Sequence, residues 1–161
     1  MRNGKWLSTH LDLTSKNYHR QPVMPELNIA VMGFDFGTSW IGTAIGQTLT
    51  GTASPLQGVR VINNKPEWQV IAKLIETWQP AKLIVGLPTS MHEIESPMTE
   101  KAWRFSRQLE GSFNIKTELV DERLTTREAW QIVEESAHKK VMKQEIDCIA
   151  AVLITETWLN K

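Results

Sequence analysis

The chain has 161 residues, a length that suits one domain with a single hydrophobic core. Its 18 basic residues equal its 18 acidic residues, which argues against strong non-specific binding to long duplexes, because such binding needs many phosphate-neutralising cations. The one cysteine, Cys148, excludes an intramolecular disulfide and fits a reducing compartment. No apolar run reaches the ~18 residues of a membrane span, and the N-terminus lacks a hydrophobic signal core. We therefore expect a soluble cytoplasmic protein with no membrane partner.

Residues 1–28 are polar and mildly basic, without sustained helical or strand periodicity. We expect them to form an N-terminal extension that is flexible unless it docks on the domain. A basic arm that contacts nucleic acid is the functional alternative. Residues 29–161 are expected to form a single domain.

Three β segments are predicted in the first half of the domain, at 29–36, 41–47 and 53–61. The short Gly- and Thr-rich connections between them favour hairpins and hence an antiparallel meander. Glycine is frequent in these strands, which indicates tight turning or close backbone approach near Asp35. The glycines concerned are Gly33, Gly37, Gly42 and Gly46.

The pattern then alternates helices with two short apolar strands, 83–87 and 116–120. We predict a helix with Pro66 in its first turn, a second helix from Ser96 to Gly111, a third after a capping box at Thr125 and Glu128, and a last helix after a basic connection. The residues predicted to face inward from the third helix are Ala129, Ile132 and Val133, and from the last helix Ile146, Ile149, Ala150, Leu153 and Trp158. The fold class is therefore α/β, with a mixed five-stranded sheet made of the meander plus two parallel strands and flanked by helices.

Asp35 is the residue that most needs a chemical explanation. It lies in an apolar strand between two phenylalanines, and an ionised carboxylate there needs a partner, a hydrogen bond or a metal. The predicted topology can bring to it Asp121 and Glu122 from the end of the last strand and Asp147 from the start of the last helix. Carboxylates without Cys or His ligands suit Mg²⁺ or Mn²⁺, and two such ions can cleave a phosphodiester.

Other interpretations of these residues stay open at this stage. Asp147 could complement a helix dipole, and Glu122 with Arg123 could be a surface ion pair of little energy. Cys148 is interpreted as a small core residue rather than a nucleophile, and His92 as a solvated loop residue.

Four motifs in order resemble one known family. They are Phe34-Asp35-Phe36-Gly37-Thr38 with Ile41-Gly42, then Leu83-Ile84-Val85-Gly86-Leu87-Pro88, then Val120-Asp121-Glu122-Arg123-Leu124-Thr125-Thr126, and then Ile146-Asp147 with Ala150-Ala151. Together they resemble the YqgF (RuvX) family of RNase H-like proteins, described as Holliday junction resolvases or pre-16S rRNA nucleases. The resemblance covers roughly residues 28–160.

The resemblance implies an RNase H-like fold, a Mg²⁺- or Mn²⁺-dependent nuclease site and a role in trimming the 5′ end of pre-16S rRNA in ribosome biogenesis. It implies Asp35, Glu122 and Asp147 as catalytic carboxylates and metal ligands, with Asp121 as a further metal ligand. The substrate-binding residues that we expect are Thr38, Arg123, Thr125, Lys139 and Lys140.

The chain departs from the family pattern at expected substrate contacts. Ser39 stands where family members usually have Lys or Arg, and His92 stands where a loop Asp is usual. The three carboxylate positions are unchanged.

Three other functions remain in view. The Asp-Phe-Gly-Thr motif also resembles a phosphate loop of actin-like ATPases, although this chain has one copy of the fold and lacks the second loop. A four-way DNA junction resolvase would need a two-fold dimer to cut symmetrically, and the sequence does not decide between monomer and homodimer. The third is a catalytically weak nucleic-acid-binding module for ribosome assembly. Nine basic and seven acidic residues between Lys101 and Lys143 support local phosphate contacts only.

Overall fold

The computed structural model describes residues 28–88, 96–124, 127–139 and 142–161. The strands are β1 (Ala30–Asp35), β2 (Trp40–Gln47), β3 (Thr52–Pro55), β4 (Val59–Ile62), β5 (Lys65–Pro66), β6 (Lys82–Leu87) and β7 (Thr117–Asp121). The helices are α1 (Trp68–Trp78), α2 (Pro97–Phe113), α3 (Arg127–His138) and α4 (Lys143–Leu159), and a 3₁₀ turn, Glu122–Leu124, follows β7. The predicted N-terminal extension lies outside the described residues up to residue 27.

Strand β1 lies at the centre of a mixed sheet. It pairs antiparallel with β2 and parallel with β6, which in turn pairs parallel with β7. The order is β5-β4-β2-β1-β6-β7, with β3 also paired to β2. The predicted α/β class, with an antiparallel meander and two parallel strands, is confirmed, but the described sheet has seven strands rather than the predicted five.

The predicted third strand, 53–61, is instead two strands. Both pair antiparallel with β2, β3 with its end and β4 with its start. The break occurs after Pro55, which has no N–H to donate to a ladder. The intervening backbone is held by Thr43, whose hydroxyl donates to the carbonyl oxygen of Gln57 at 2.6 Å.

The short strand β5 was not predicted. It forms a hairpin with β4 through Asn63 and Asn64, whose φ angles are 51° and 60°. Two consecutive left-handed residues are what a two-residue hairpin turn requires, and asparagine tolerates them. Pro66 therefore lies in β5 rather than in the first turn of α1, which begins at Trp68.

The sheet has a large core on one face and a thinner one on the other. Alternation along β1 directs Met32 and Phe34 to the first face, where α1 and α2 contribute Ile71 and Phe105. Val31 lies on the second face, which α4 covers. The buried members of the second cluster are Val31, Ile84, Val120 and Ile154.

Helix α2 begins where predicted but ends later. Ser96 is its N-cap, with its hydroxyl accepting the Thr99 N–H at 3.2 Å, and Pro97 follows in the first turn. Gly111 does not end the helix as predicted. The helix continues to Phe113 and is closed by Asn114, whose φ of 53° is left-handed.

The predicted inward faces of the last two helices were wrong in part. Ile132 of α3 is 56% exposed, whereas Val133 is half-buried, and the side chain of Ala129 lies outside the described residues. In α4, Ile146, Ile149 and Leu153 are only partly buried, whereas Ala150 is buried and Trp158 packs against the second cluster, as predicted. The residues of α4 that are buried are Cys148, Ala150, Ala151, Ile154 and Thr155.

Small residues explain this face of α4. Gly33 and Gly46 lie beneath the helix, and a Cβ atom at Gly46 would lie 2.8 Å from side-chain carbons of Thr155 and Leu159. Glycine lets the helix lie close to the sheet, so the line of contact holds small side chains while the larger apolar ones flank it. Ile154 is the one large apolar side chain among the buried residues of α4 that the structure describes, and the large apolar residues predicted to face inward flank the contact.

Candidate active site

Asp35 is the last residue of β1 and lies on the face of the sheet that α4 covers. It shares this face with Val31 and Gly33, while Phe34 and Phe36 point to the opposite core. The side-chain alternation of the strand thus places one carboxylate among the residues beneath α4.

Two glycines flank Asp35 on the neighbouring strands. Gly42 is the register partner of Asp35 on β2. On β6, Val85 pairs with Phe34, so the next residue, Gly86, lies beside Asp35. Neither position carries a side chain, so the sheet leaves room on both sides of the Asp35 carboxylate.

The backbone at the start of helix α4 lies over Gly42, and side chains of α4 and of the 3₁₀ turn lie over Gly86. A Cβ atom at Gly42 would lie 2.7 Å from the backbone nitrogen of Cys148 and closer still to the carbonyl group of Asp147. At Gly86, a Cβ atom would meet the side chain of Ile154 first and would lie 3.1 Å from Oε1 of Glu122. The two glycines therefore allow Asp147 and Glu122 to approach Asp35 from opposite sides.

The electrostatics of the three carboxyl groups follow from this placement. Burial, then the charge of Glu122 and then that of Asp147, raise the pKa of Asp35 well above its usual range. Burial and the neighbouring Asp121 raise the pKa of Glu122. Burial likewise raises the pKa of Asp147, and the ammonium group of Lys143 one turn earlier opposes that rise. The three acids therefore repel one another and favour a bound proton or cation.

One oxygen of the Asp147 carboxyl group lacks a hydrogen bond within the described part of the chain. Its Oδ2 atom is buried and accepts no hydrogen bond from the described residues. A buried carboxyl oxygen without a hydrogen-bond donor is costly when it is ionised, and either a proton or a metal ion would satisfy it.

The donor chemistry of the three residues fits a hard divalent cation. All are carboxylates, which Mg²⁺ and Mn²⁺ prefer. In the described part of the chain, no three acidic, histidine or cysteine side chains converge closely enough to hold one ion as they stand. Binding would require Asp35, Glu122 and Asp147 to turn towards one another, which mutual repulsion opposes until a cation is present.

Asp121 lies beside this group but is engaged elsewhere. Asp121 and Leu119 are two residues apart on β7, so their side chains point to the same face of the sheet. Leu119 packs against the core on the face opposite Asp35. The Oδ2 atom of Asp121 lies 2.7 Å from Nη2 of Arg123, and Nε of Arg123 donates to both of its oxygens at 3.1 and 3.0 Å. The pair fixes the orientation of the Arg123 guanidinium at the end of β7.

The remaining predicted substrate contacts are dispersed. Thr38 is exposed in the turn between β1 and β2, and Lys139 is exposed in the turn after α3. Thr125 and Lys140 lie outside the described residues, as does His92.

Cys148 is buried, as the sequence indicated. Burial raises the pKa of its thiol, with Asp147 and Asp35 as smaller contributors, against a lowering backbone hydrogen bond from Thr43. A buried thiol of raised pKa carries little thiolate and is not a nucleophile at neutral pH.

The comparison with known proteins decides the family. A family model described as "RuvX: Holliday junction resolvase" matches residues 29–161. The chain belongs to the RuvX family. Its RuvX domain thus covers all the strands and helices that the structure describes and all three carboxylates.

RuvX relatives from several bacteria are similar over most of their length. A protein from Actinobacillus pleuropneumoniae serotype 7, named "Putative pre-16S rRNA nuclease", is 45% identical over 131 residues, which is 81% of this chain and 96% of that protein. Proteins of the same name from Aeromonas salmonicida and Shewanella oneidensis are each 43% identical, over 82% and 81% of this chain and 95% and 93% of theirs.

Solved structures show the same fold at low sequence identity. The RuvC structure from Thermus thermophilus has a TM-score of 0.50 at 12% identity and covers 82% of this chain and 96% of its own. The Fowlpox virus Holliday junction resolvase has a TM-score of 0.50 at 13% identity, covering 82% and 99%. These matches support the RNase H-like, resolvase-type fold of this RuvX chain.

The frequent glycines predicted close backbone approach near Asp35, and the structure confirms this at Gly42, which lies against the backbone of Asp147. Gly42 and Gly46 lie an even number of residues apart and so share one face of β2. The position of Gly86 beside Glu122 was not predicted, because the sequence showed Gly86 only as part of a motif.

Proposed function

We propose that this protein is a nuclease that uses Mg²⁺ or Mn²⁺ and processes the 5′ end of pre-16S rRNA. The observation that carries the proposal is the approach of Glu122 and Asp147 to Asp35 above two bare glycine positions. Hydrolytic cleavage of nucleic acid is the activity that both the family and this group of carboxylates support.

In this proposal Asp35, Glu122 and Asp147 hold the cation. A bound divalent ion would activate a water molecule and stabilise the leaving oxygen of the phosphodiester. Before binding, the raised pKa values of the three acids disfavour their full ionisation, so cation uptake releases protons and draws the carboxylates together.

The neighbouring charged residues position the substrate. Arg123, oriented by Asp121, would donate to a phosphate oxygen next to the scissile bond. Asp121 itself would assist at the metal only by giving up part of its contact with Arg123. Thr38 and Lys139, together with Thr125 and Lys140, are proposed as further phosphate contacts.

Pre-rRNA is favoured as substrate because the relatives with 41–45% identity carry a pre-16S rRNA nuclease name. The balanced net charge also favours a short structured substrate over tracking along a duplex. Among the described residues, no helix is long and apolar enough to cross a membrane. We place the activity in the cytoplasm, where bacterial ribosomes are assembled.

Cleavage of a four-way DNA junction is the second candidate, because the matching family is described as a Holliday junction resolvase. A symmetric cut needs two active sites related by a two-fold axis. A homodimer in solution would favour this candidate, and a monomer would favour the RNA substrate.

The deciding assay compares the wild type with Asp35→Asn and Asp147→Asn on two substrates, a pre-16S rRNA with its 5′ leader and a four-way DNA junction. Each is incubated with Mg²⁺, Mn²⁺ or EDTA. The wild type is expected to cleave the RNA with metal only, and both variants to lose cleavage, because each removes a metal ligand. Glu76→Gln, on the exposed side of α1, is the matched control and should cleave normally. Equal cleavage by the wild type and both Asn variants would reject the site.

A further inference from the structure

A cleft opens on the other face of the sheet, at the same end of β1 as the carboxylates. It has a volume of about 240 Å³, which is smaller than the typical pocket for a drug-sized ligand. Four apolar residues line its floor, namely Phe36, Val61, Pro66 and Phe105. The rings of Phe36 and Phe105 lie 5.2 Å apart between centroids and are tilted by 38°.

The rim of the cleft is polar and positively charged. Lys101 and Arg104 of α2 stand on it, and its described lining contains no carboxylate. Three neutral polar residues complete the rim, namely Thr38, Asn64 and Gln108. The cleft thus combines an aromatic floor, two amides and two cations.

Arg104 is available to a ligand. Its guanidinium lies 3.6 Å from Glu100, but both side chains are at least 70% exposed, and such pairs contribute little. A phosphate, which pairs with arginine through two parallel hydrogen bonds, can compete with that contact.

The backbone links the cleft to the active centre. Asp35 and Phe36 are consecutive, so their side chains point to opposite faces of the sheet. Thr38, in the turn that follows, lines the cleft and is exposed. A nucleic-acid strand with one phosphodiester at Asp35 therefore reaches the cleft as soon as it crosses the β1–β2 turn.

We propose that the cleft binds one nucleotide of the substrate, next to the scissile phosphodiester. Its base lies on Phe36 between the amides of Asn64 and Gln108, and its phosphate contacts Lys101 and Arg104. The volume accommodates one nucleotide rather than a base pair, so the occupant is single-stranded or flipped out. The inference rests on the proposed nuclease function and names a specificity site for it.

Binding can be measured without cleavage. AMP, GMP, CMP, UMP and inorganic phosphate are titrated in EDTA into the full chain, and amide shifts are followed by NMR. We expect the nucleotides to shift Phe36, Asn64 and Gln108. The double variant Lys101→Ala/Arg104→Ala should weaken binding about tenfold or more, because it removes charge-assisted hydrogen bonds.

Arg107→Ala is the matched control. Arg107 is also on α2 but stacks on Trp103, with its guanidinium carbon 4.6 Å from the ring centre, and it does not line the cleft. Its removal should leave nucleotide binding unchanged. Gln108→Trp, which would fill the cleft, should abolish nucleotide binding and raise KM for the nucleic-acid substrate more than it lowers kcat.

The outcomes separate this inference from the proposed function. Nucleotide binding that is lost in the double variant, with no cleavage of any RNA or DNA, supports the cleft and rejects the nuclease. Normal cleavage with unchanged KM in Gln108→Trp rejects the cleft and retains the nuclease. Inorganic phosphate binding as tightly as the nucleotides would overturn recognition of the base.

Discussion

Replacing Gly42 by alanine inserts a methyl group between β2 and α4, at the point where Asp147 approaches the sheet. The new carbon would lie 2.7 Å from the Cys148 nitrogen, whereas ordinary van der Waals contact begins at 3.4 Å. The carbonyl group of Asp147 is closer still. Both obstacles are backbone atoms and cannot rotate away, so the start of α4 must move by about 1 Å or more.

That movement carries Asp147 away from Asp35. A misplacement of about 1 Å in a catalytic group costs on the order of 100-fold in rate, and we expect this loss in kcat for Gly42→Ala. Overpacking should also cost about 1–3 kcal/mol of folding free energy, or roughly 2–4 °C in Tm for each kcal/mol at this chain length. Cleavage is therefore measured well below the Tm of the variant, with circular dichroism confirming that it is folded.

Gly111→Ala is the control for Gly42→Ala. Gly111 lies within α2, and beyond its chain neighbours and the adjacent backbone of its own helix no atom of the described residues lies within 4 Å of its would-be Cβ. Alanine there should stabilise the helix by up to about 1 kcal/mol and leave cleavage unchanged. Cleavage at the wild-type rate by Gly42→Ala, or an equal loss of cleavage in Gly111→Ala, would show that the missing side chain at residue 42 does not determine the position of Asp147.

Three further predictions concern stability in EDTA, measured by urea denaturation. Burial and two neighbouring acids raise the pKa of Asp35, so Asp35 holds a proton more tightly in the folded protein than in the unfolded chain. Its contribution to the free energy of unfolding therefore falls as pH rises from the unfolded-state pKa to the folded-state pKa. Asp35→Asn should therefore be more stable than the wild type at pH 8 and lose that advantage at pH 3; a less stable variant at pH 8 contradicts this. Glu118 behaves oppositely, since hydrogen bonds from Lys82 and from Trp158, whose Nε1 donates at 2.6 Å, lower its pKa. Glu118→Gln should lower stability at pH 7, with the difference fading as pH falls through the folded-state pKa; a difference independent of pH is the opposing result. Ser96→Ala should cost about 1 kcal/mol through loss of the α2 cap without affecting cleavage, and no change in stability would show that the cap contributes nothing.

Local chemistry determined much of the architecture. The Gly- and Thr-rich turns, the apolar run before Leu87 and the cap at Ser96 each specify a conformation within a few residues, so the order of elements follows from them. The split at Pro55 and the left-handed Asn63-Asn64 turn also have local causes, although the sequence analysis predicted one strand over 53–61 and no strand after the turn. Ile132 and the flanks of α4 could not be assigned from periodicity, because the neighbour that covers each face is chosen by tertiary packing.

The sequence by itself identified Asp35, Glu122 and Asp147 as the acids of interest, since a carboxylate in an apolar strand requires a partner and the motifs named its candidates. Only the tertiary structure decided how they approach one another. The room for that approach comes from atoms that Gly42 and Gly86 lack, and the registers of β2 and β6 against β1 place those gaps on either side of Asp35. The same alternation directs Phe36 to the opposite face of the sheet, where α2 supplies Lys101 and Arg104 to the cleft proposed to bind a nucleotide. No local pattern in the sequence reveals that cleft.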